Sequence, residues 1–279
     1  MYEILKKESL NPTVTRMVVS APEVAAKAEP GQFIILRPLS DSERIPLTVA
    51  DFDREKGTVT IIFQIVGATT AVLNSLEEGD FICDFAGPLG TPSHTEGLKR
   101  VCVVGGGVGC AIAYPVAKKL SASGCEVHSI VGFRNKDLLI LENEFKSVSE
   151  KYFVMTDDGS YGEKGLVTDA LRKLLEGGEK YDEVIAIGPL IMMKFVCKLT
   201  KEFGVKTIIS MNPIMIDGTG MCGCCRLTVG GKMKFACVDG PDFDGHEVDF
   251  DEAMDRLTMY RPQEAERREA HCNLFKGVK

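Results

Sequence analysis

The chain reads as an α/β protein with an all-β domain in front: an antiparallel β-barrel, a doubly wound parallel sheet, then a small cysteine-bearing C-terminal segment. Three observations carry that reading. The first hundred residues are short β-branched runs punctuated by Gly, Pro and Asp, and the next hundred alternate apolar strands with helical stretches. Four of the ten cysteines then fall between Cys222 and Cys237. A length of 279 residues leaves room for two domains and an appendage, with boundaries expected at 1–97, 98–212 and 213–279. The hydrophobic fraction of 44% and the charged fraction of 26% are those of an ordinary globular protein. A net charge of -7 argues against a nucleic-acid partner, which would select a basic face. No apolar run reaches membrane-spanning length, so no membrane partner is expected, and MYEILKKESL lacks the apolar stretch of a signal peptide. Cys102, Cys110, Cys125 and Cys197 stand singly in apolar segments, as buried thiols do, which indicates a reducing, cytoplasmic setting.

In the barrel region, TVTRMVVSAP, GQFIILRPL, RIPLTVADFD, GTVTIIFQIV and DFICDFAGPLG are the strand candidates. Two details there point to a ligand. Arg44-Ile45-Pro46-Leu47-Thr48 sets a fixed cation, a rigid proline and a hydroxyl at one strand start, a group able to hold a phosphate beside a flat ring. Gly67-Ala68-Thr69-Thr70 closes a strand and opens a short helix, whose N-terminus suits a pyrophosphate.

From Lys99 onward, RVCVVGGG, EVHSIVGF, YFVMTDDG, DEVIAIGP and KTIISM alternate with helical stretches, the pattern of a parallel sheet. The turn Gly105-Gly106-Gly107-Val108-Gly109 joins the first strand to its helix, where a dinucleotide approaches backbone N–H groups; it also reads as a tight strand–helix turn with no ligand. Arg134, after the second strand, is placed to pair with a 2′-phosphate, to cover an adenine, or to lie in solvent. NAD(H) and NADP(H) both remain open. The histidines are scattered, and His94, His128, His246 and His271 read as surface or loop residues.

The stretch DGTGMCGCCRLTVGGKMKFAC, from Asp217 to Cys237, is the densest in chemistry. Plant-type [2Fe–2S] centres use a C-x4-C-x2-C spacing with a distant fourth cysteine. Cys222, Cys225 and Cys237 fit the later places and Asp217 occupies the first, which leaves Cys224 outside. Gly218, Gly220 and Gly223 suit a loop wrapped about a cluster. A structural zinc site on the same cysteines, completed by Cys224 or Asp217, is the alternative. Beyond it, two helical stretches split at Pro262 are expected, the second a solvated helix or a docking arm.

The order PGQF, RIPLT, VGATT, GPLG resembles the flavin-binding barrel of the ferredoxin–NADP reductase superfamily. The resemblance implies FAD held by Arg44, Pro46, Leu47 and Thr48 at the ring and phosphate, and by Gly67, Thr69 and Thr70 at the pyrophosphate. Gly105, Gly106, Gly107, Gly109 and Ala111 match that superfamily's nicotinamide turn, and Asp157-Asp158-Gly159 and Gly188-Pro189 match its later strand ends. Cys237-Val238-Asp239-Gly240-Pro241 is similar to the electron-transfer subunit of dihydroorotate dehydrogenase B. Asp217 ahead of Cys222, with RIPLT, is closer to the small subunit of NADH-dependent reduced ferredoxin:NADP oxidoreductases. That likeness implies a heterodimer with a larger iron–sulfur flavoprotein, electron bifurcation, ferredoxin reached indirectly, and NAD(H) at the small subunit.

The expected parts fit one chemical task. Nicotinamide gives two electrons as a hydride, a [2Fe–2S] cluster takes one at a time, and flavin converts between the two modes. Hydride transfer needs no side-chain acid or base, so no catalytic residue is assigned. The expected cluster ligands are Asp217, Cys222, Cys225 and Cys237.

Overall fold

The computed structural model describes residues 1–267. Its first half is a seven-stranded antiparallel sheet of β1 (Tyr2–Asn11), β2 (Val14–Ser20), β3 (Phe33–Arg37), β4 (Ile45–Asp53), β5 (Thr58–Gln64), β6 (Phe81–Ile82) and β7 (Asp84–Leu89). The order is β6-β1-β2-β5-β4-β3-β7. Only Cys83 separates the two end strands, so one passage of chain pairs first with β1 and then with β3. That double pairing curls the sheet into the expected barrel and leaves little open edge. Inward residues alternate along the strands and meet in one core, with Met17, Val19, Ile34, Leu36, Ile61 and Phe63 almost wholly buried. Each such side chain contributes about 1.5–3 kcal/mol of burial free energy. Two short helices, α1 (Pro22–Ala25) and α2 (Ala68–Ser75), connect strands.

The second half is the expected parallel sheet. Its strands are β8 (Arg100–Gly106), β9 (Glu126–Phe133), β10 (Lys151–Thr156), β11 (Glu163–Lys164), β12 (Glu183–Ile187) and β13 (Thr207–Ser210), in the order β11-β10-β9-β8-β12-β13. Helices α3 (Gly109–Ala122) and α4 (Glu142–Val148) cover one face, and α5 (Val167–Glu176) and α6 (Leu190–Glu202) the other. Alternation along β8 serves both: Val101 and Val103 join the α3–α4 side, Cys102 and Val104 the α5–α6 side. Strand order reverses between β8 and β12, which opens a crevice at their carboxyl ends.

The cysteine segment adds a hairpin, β14 (Arg226–Val229) and β15 (Lys232–Phe235), turned by Gly230-Gly231, then β16 (Asp242–Asp244) and α7 (Phe250–Arg256). β16 pairs antiparallel with β13 and extends the sheet, although its surroundings read in sequence as turn-rich. A second helical stretch covers 261–267, with Pro262 in its first turn, where a missing N–H costs nothing. The rest of the expected second helix, with His271, lies outside the described residues. No helix among the described residues is long and apolar enough to cross a membrane.

One histidine departs from expectation. His128 is fully buried on β9, its Nδ1 2.8 Å from the Tyr181 hydroxyl and its Nε2 3.1 Å from Glu126. Burial lowers its pKa, so the neutral ring is favoured there. Its two polar partners are what allow an imidazole inside the strand. The four single cysteines are buried, as expected.

Candidate functional site

Three places carry the expected site residues. At the barrel, Arg44 precedes β4, and Pro46, Leu47 and Thr48 form its half-buried start, against fully buried Val49. Arg44 Nε donates to the Ile216 carbonyl at 3.1 Å, and its Nη1 lies 3.8 Å from Asp84, which also takes Arg37 Nε at 2.7 Å. The guanidinium therefore ties the barrel to the cysteine loop. At the start of α2, Thr70 Oγ1 accepts from the N–H groups of Val66 and Gly67, each at 3.0 Å, so this hydroxyl caps the helix. Gly67 faces open space, where an added Cβ would meet nothing within 4 Å. A half-buried ledge, a cation and an open helix start fit a flavin with its phosphates.

The second place is a cleft of about 640 Å³ between the barrel and the carboxyl ends of the parallel strands. Gly106, Gly107, Gly109, Arg134, Asp157, Gly188 and Pro189 line it; Gly105, Asp158 and Gly159 do not. A Cβ on Gly109 would stand 2.5 Å from the Ile187 carbonyl and 2.7 Å from Gly188 Cα. The two loops therefore meet backbone to backbone, and glycine is what lets them. Gly105 serves packing instead, since a Cβ there would strike the Cys110 thiol at 2.8 Å. The Asp158 carboxylate is occupied by the Ser160 N–H at 2.9 Å. Sequence reasoning missed other lining residues, among them Asn11, Thr13 and Gln64 from the barrel, Phe195 from α6, and Ser210 and Asn212 at and just past the end of β13. For Ser210 and Asn212 a signal existed, since they end the last parallel strand, where ligands of such sheets gather.

The third place is the loop from Asp217 to Cys225. Gly218, Gly220 and Gly223 have φ of 87°, 84° and 68°, the left-handed conformations that let the loop fold back on itself. A Cβ on Gly218 would stand 2.7 Å from Leu89 and 2.9 Å from Ile35, so the loop is packed directly on the barrel. The Asp217 carboxylate accepts from the Thr219 hydroxyl, from the Thr219 N–H at 2.9 Å and from the Met221 N–H at 3.3 Å. These bonds, with the charge of Arg44, hold its pKa below the usual carboxylate range. Cys225 and Cys237 are buried with their sulfurs 3.2 Å apart, while Cys222 is exposed. The Cys224 N–H favours the Cys222 thiolate, whereas burial pushes the Cys237 thiol up to about 12. The Cys225 thiol donates to Cys237 across that gap; as thiolates the two would need a positive group between them, which an iron–sulfur core would supply. Among the described residues, no three His, Cys, Asp or Glu side chains gather on a single point to hold one metal ion. The thiols of Cys222, Cys225 and Cys237 are the ligand type an iron–sulfur cluster takes, with the Asp217 carboxylate at the start of the same loop.

Comparison with known proteins finds an iron–sulfur and an NAD-binding domain in these two parts of the chain. Residues 212–249 match the iron–sulfur cluster binding domain of dihydroorotate dehydrogenase B, and residues 103–198 match the oxidoreductase NAD-binding domain. The chain is 50% identical over 264 residues to a dihydroorotate dehydrogenase B electron-transfer subunit homolog of Thermotoga maritima, covering 95% of this chain and 93% of the other. The electron-transfer subunit of Geobacillus thermodenitrificans is 35% identical, over 83% of this chain and 91% of its own. A solved structure of an NADH-dependent reduced ferredoxin–NADP oxidoreductase, described for flavin-based electron bifurcation, superimposes with a TM-score of 0.92. It is 48% identical and covers 97% of both chains. A ferredoxin–NADP⁺ reductase of Neisseria gonorrhoeae shares the fold, with a TM-score of 0.60 at 16% identity, over 73% of this chain and 91% of its own.

Proposed function

The chain belongs to the family of the dihydroorotate dehydrogenase B electron-transfer subunit, and from that premise we propose that it joins NAD(H) to a partner subunit through FAD and a [2Fe–2S] cluster. It is an oxidoreductase whose NAD-binding and iron–sulfur domains both serve electron transfer. The reading assigns residues 1–97 to FAD, 98–212 to nicotinamide and 213–279 to the cluster and its tail. Arg44, Pro46, Leu47, Thr48, Gly67, Thr69 and Thr70 hold FAD. Gly105, Gly106, Gly107, Gly109, Arg134, Asp157, Asp158, Gly159, Gly188 and Pro189 form the nicotinamide side, some by lining the cleft and others by shaping its loops. Asp217, Cys222, Cys225 and Cys237 hold the cluster. When bound, the flavin accepts a hydride and passes its electrons on singly. The chain's own work is positional: glycine-rich loops admit the dinucleotide, and Arg44 and Gly218 keep the cysteine loop against the flavin barrel.

The partner in this reading is a larger iron–sulfur flavoprotein, joined as a cytoplasmic heterodimer that reaches ferredoxin indirectly and carries out electron bifurcation. The observation that supports it most is the superposition, at a TM-score of 0.92 over 97% of both chains, on a structure described for flavin-based electron bifurcation. The test is anaerobic titration of the purified protein with NADH and NADPH, followed by visible absorption and electron paramagnetic resonance. Flavin bleaching by NADH with a reduced [2Fe–2S] signal is expected. A colourless protein with stoichiometric zinc would overturn the redox reading, and full physiological activity without a larger subunit would overturn the heterodimer.

A further inference from the structure

Asp242 on β16 is a buried carboxylate whose Oδ1 has no hydrogen-bond partner. Its register partner on β13 is Ser210, which is 7% exposed and lines the nicotinamide cleft. On its other side, Oδ2 takes a short hydrogen bond from Ser93, a half-buried residue of the barrel-to-sheet connection next to exposed His94. Hydroxyl, carboxylate and hydroxyl thus run from the cleft to the surface, contributed by three separate segments. A purely structural clip of this kind would satisfy both oxygens.

We propose that Ser210, Asp242 and Ser93 form a proton path out of the nicotinamide cleft. This rests on the electron-transfer reading above. A hydride carries two electrons and one proton, and two one-electron acceptors take only the electrons. The balance is NADH plus two oxidised acceptors giving NAD⁺, two reduced acceptors and one proton. That proton must leave a cleft whose lining is mostly apolar. Ser210 takes it and, by turning its hydroxyl onto the open Oδ1 of Asp242, passes its own on; Asp242 then delivers a proton from Oδ2 through Ser93 to solvent. Burial raises the Asp242 pKa to about 6, partly offset by the Ser93 hydroxyl, with Glu183 on β12 adding a like charge. A carboxylate poised there accepts and releases protons near neutral pH. Below about pH 6 it already holds its proton, and relay should fail.

The test compares two reactions of the holoprotein with NADH. Ferricyanide takes single electrons and leaves the proton behind; thio-NAD⁺ takes the hydride back, so no net proton is released. Asp242→Asn should slow ferricyanide reduction roughly tenfold or more and remove the fall in rate below about pH 6, with hydride exchange to thio-NAD⁺ within about twofold of wild type. Ser93→Ala, outside the cleft lining, should slow ferricyanide reduction in the same selective way. An unaltered ferricyanide rate and pH profile in Asp242→Asn would overturn the path. An equal fall in both reactions would also overturn it, because a structural clip has that signature. If wild type neither bleaches nor exchanges hydride with NADH, the nicotinamide reading itself fails, and this inference with it.

Discussion

The nicotinamide cleft and the cysteine loop solve opposite problems with the same residue type. At the cleft, Gly109 and Gly188 remove side chains so that two backbones can meet and leave a smooth wall for a ligand. At the loop, Gly218, Gly220 and Gly223 fold the chain back on itself and seat it against the barrel. The cleft is a shape, tolerant of small losses. The loop is a donor set, in which one missing group exposes an uncompensated charge. Their response to substitution should therefore differ in kind.

The largest effect is expected at the loop. Asp217→Ala removes the carboxylate held by Thr219 and Met221, and most of the cluster's visible absorption should be lost while NADH still bleaches the flavin. An unchanged cluster spectrum would show that Asp217 is only a turn residue. Next comes Arg44→Ala, which deletes the proposed phosphate contact and the tie to Ile216. Flavin affinity should drop roughly ten- to a hundredfold, read as FAD retained after gel filtration, and flavin content equal to wild type would count against the site. At the cleft, Gly109→Ala pushes a Cβ to 2.5 Å from the Ile187 carbonyl. Overpacking of this sort costs about 1–3 kcal/mol, so KM for NADH should rise with the cluster spectrum intact; loss of the cluster would erase the contrast between the two regions. The smallest effect is expected from Cys224→Ser, which lies inside the loop but outside the donor set, and it should leave cluster content and potential at wild-type values.

The architecture was legible because its signals are local and periodic. Alternation in β2 and β5, the uninterrupted apolar runs of β8 and β12, and the Gly-Gly turn of the hairpin each state their own conformation. Cys222, Cys225 and Cys237 were legible as a spacing, and Gly106 and Gly109 as a turn. What escaped depends on contacts between distant segments. Asp242 stands in an acidic, turn-rich stretch and becomes an edge strand only because β13 offers a free side. His128 looks like any polar residue until Tyr181 and Glu126 close on it. Arg44 reads as a phosphate ligand, yet its contact with the Ile216 carbonyl spans 172 positions of chain, which no local pattern announces.

The wedging of Gly218 between Ile35 and Leu89 bears on the order of maturation. The loop takes its shape against a surface that exists only once β3 and β7 have paired across the closed barrel. A loop seated on a finished wall lacks that seat in an unfolded chain, so under the proposed reading the cluster would be taken up after the barrel has folded. This differs from a small zinc module, where the ion itself organises the fold. Cells short of iron or sulfide would then accumulate a folded, yellow precursor able to take its cluster later, and iron supply would govern the coupling of two-electron to one-electron chemistry while sparing the survival of the chain.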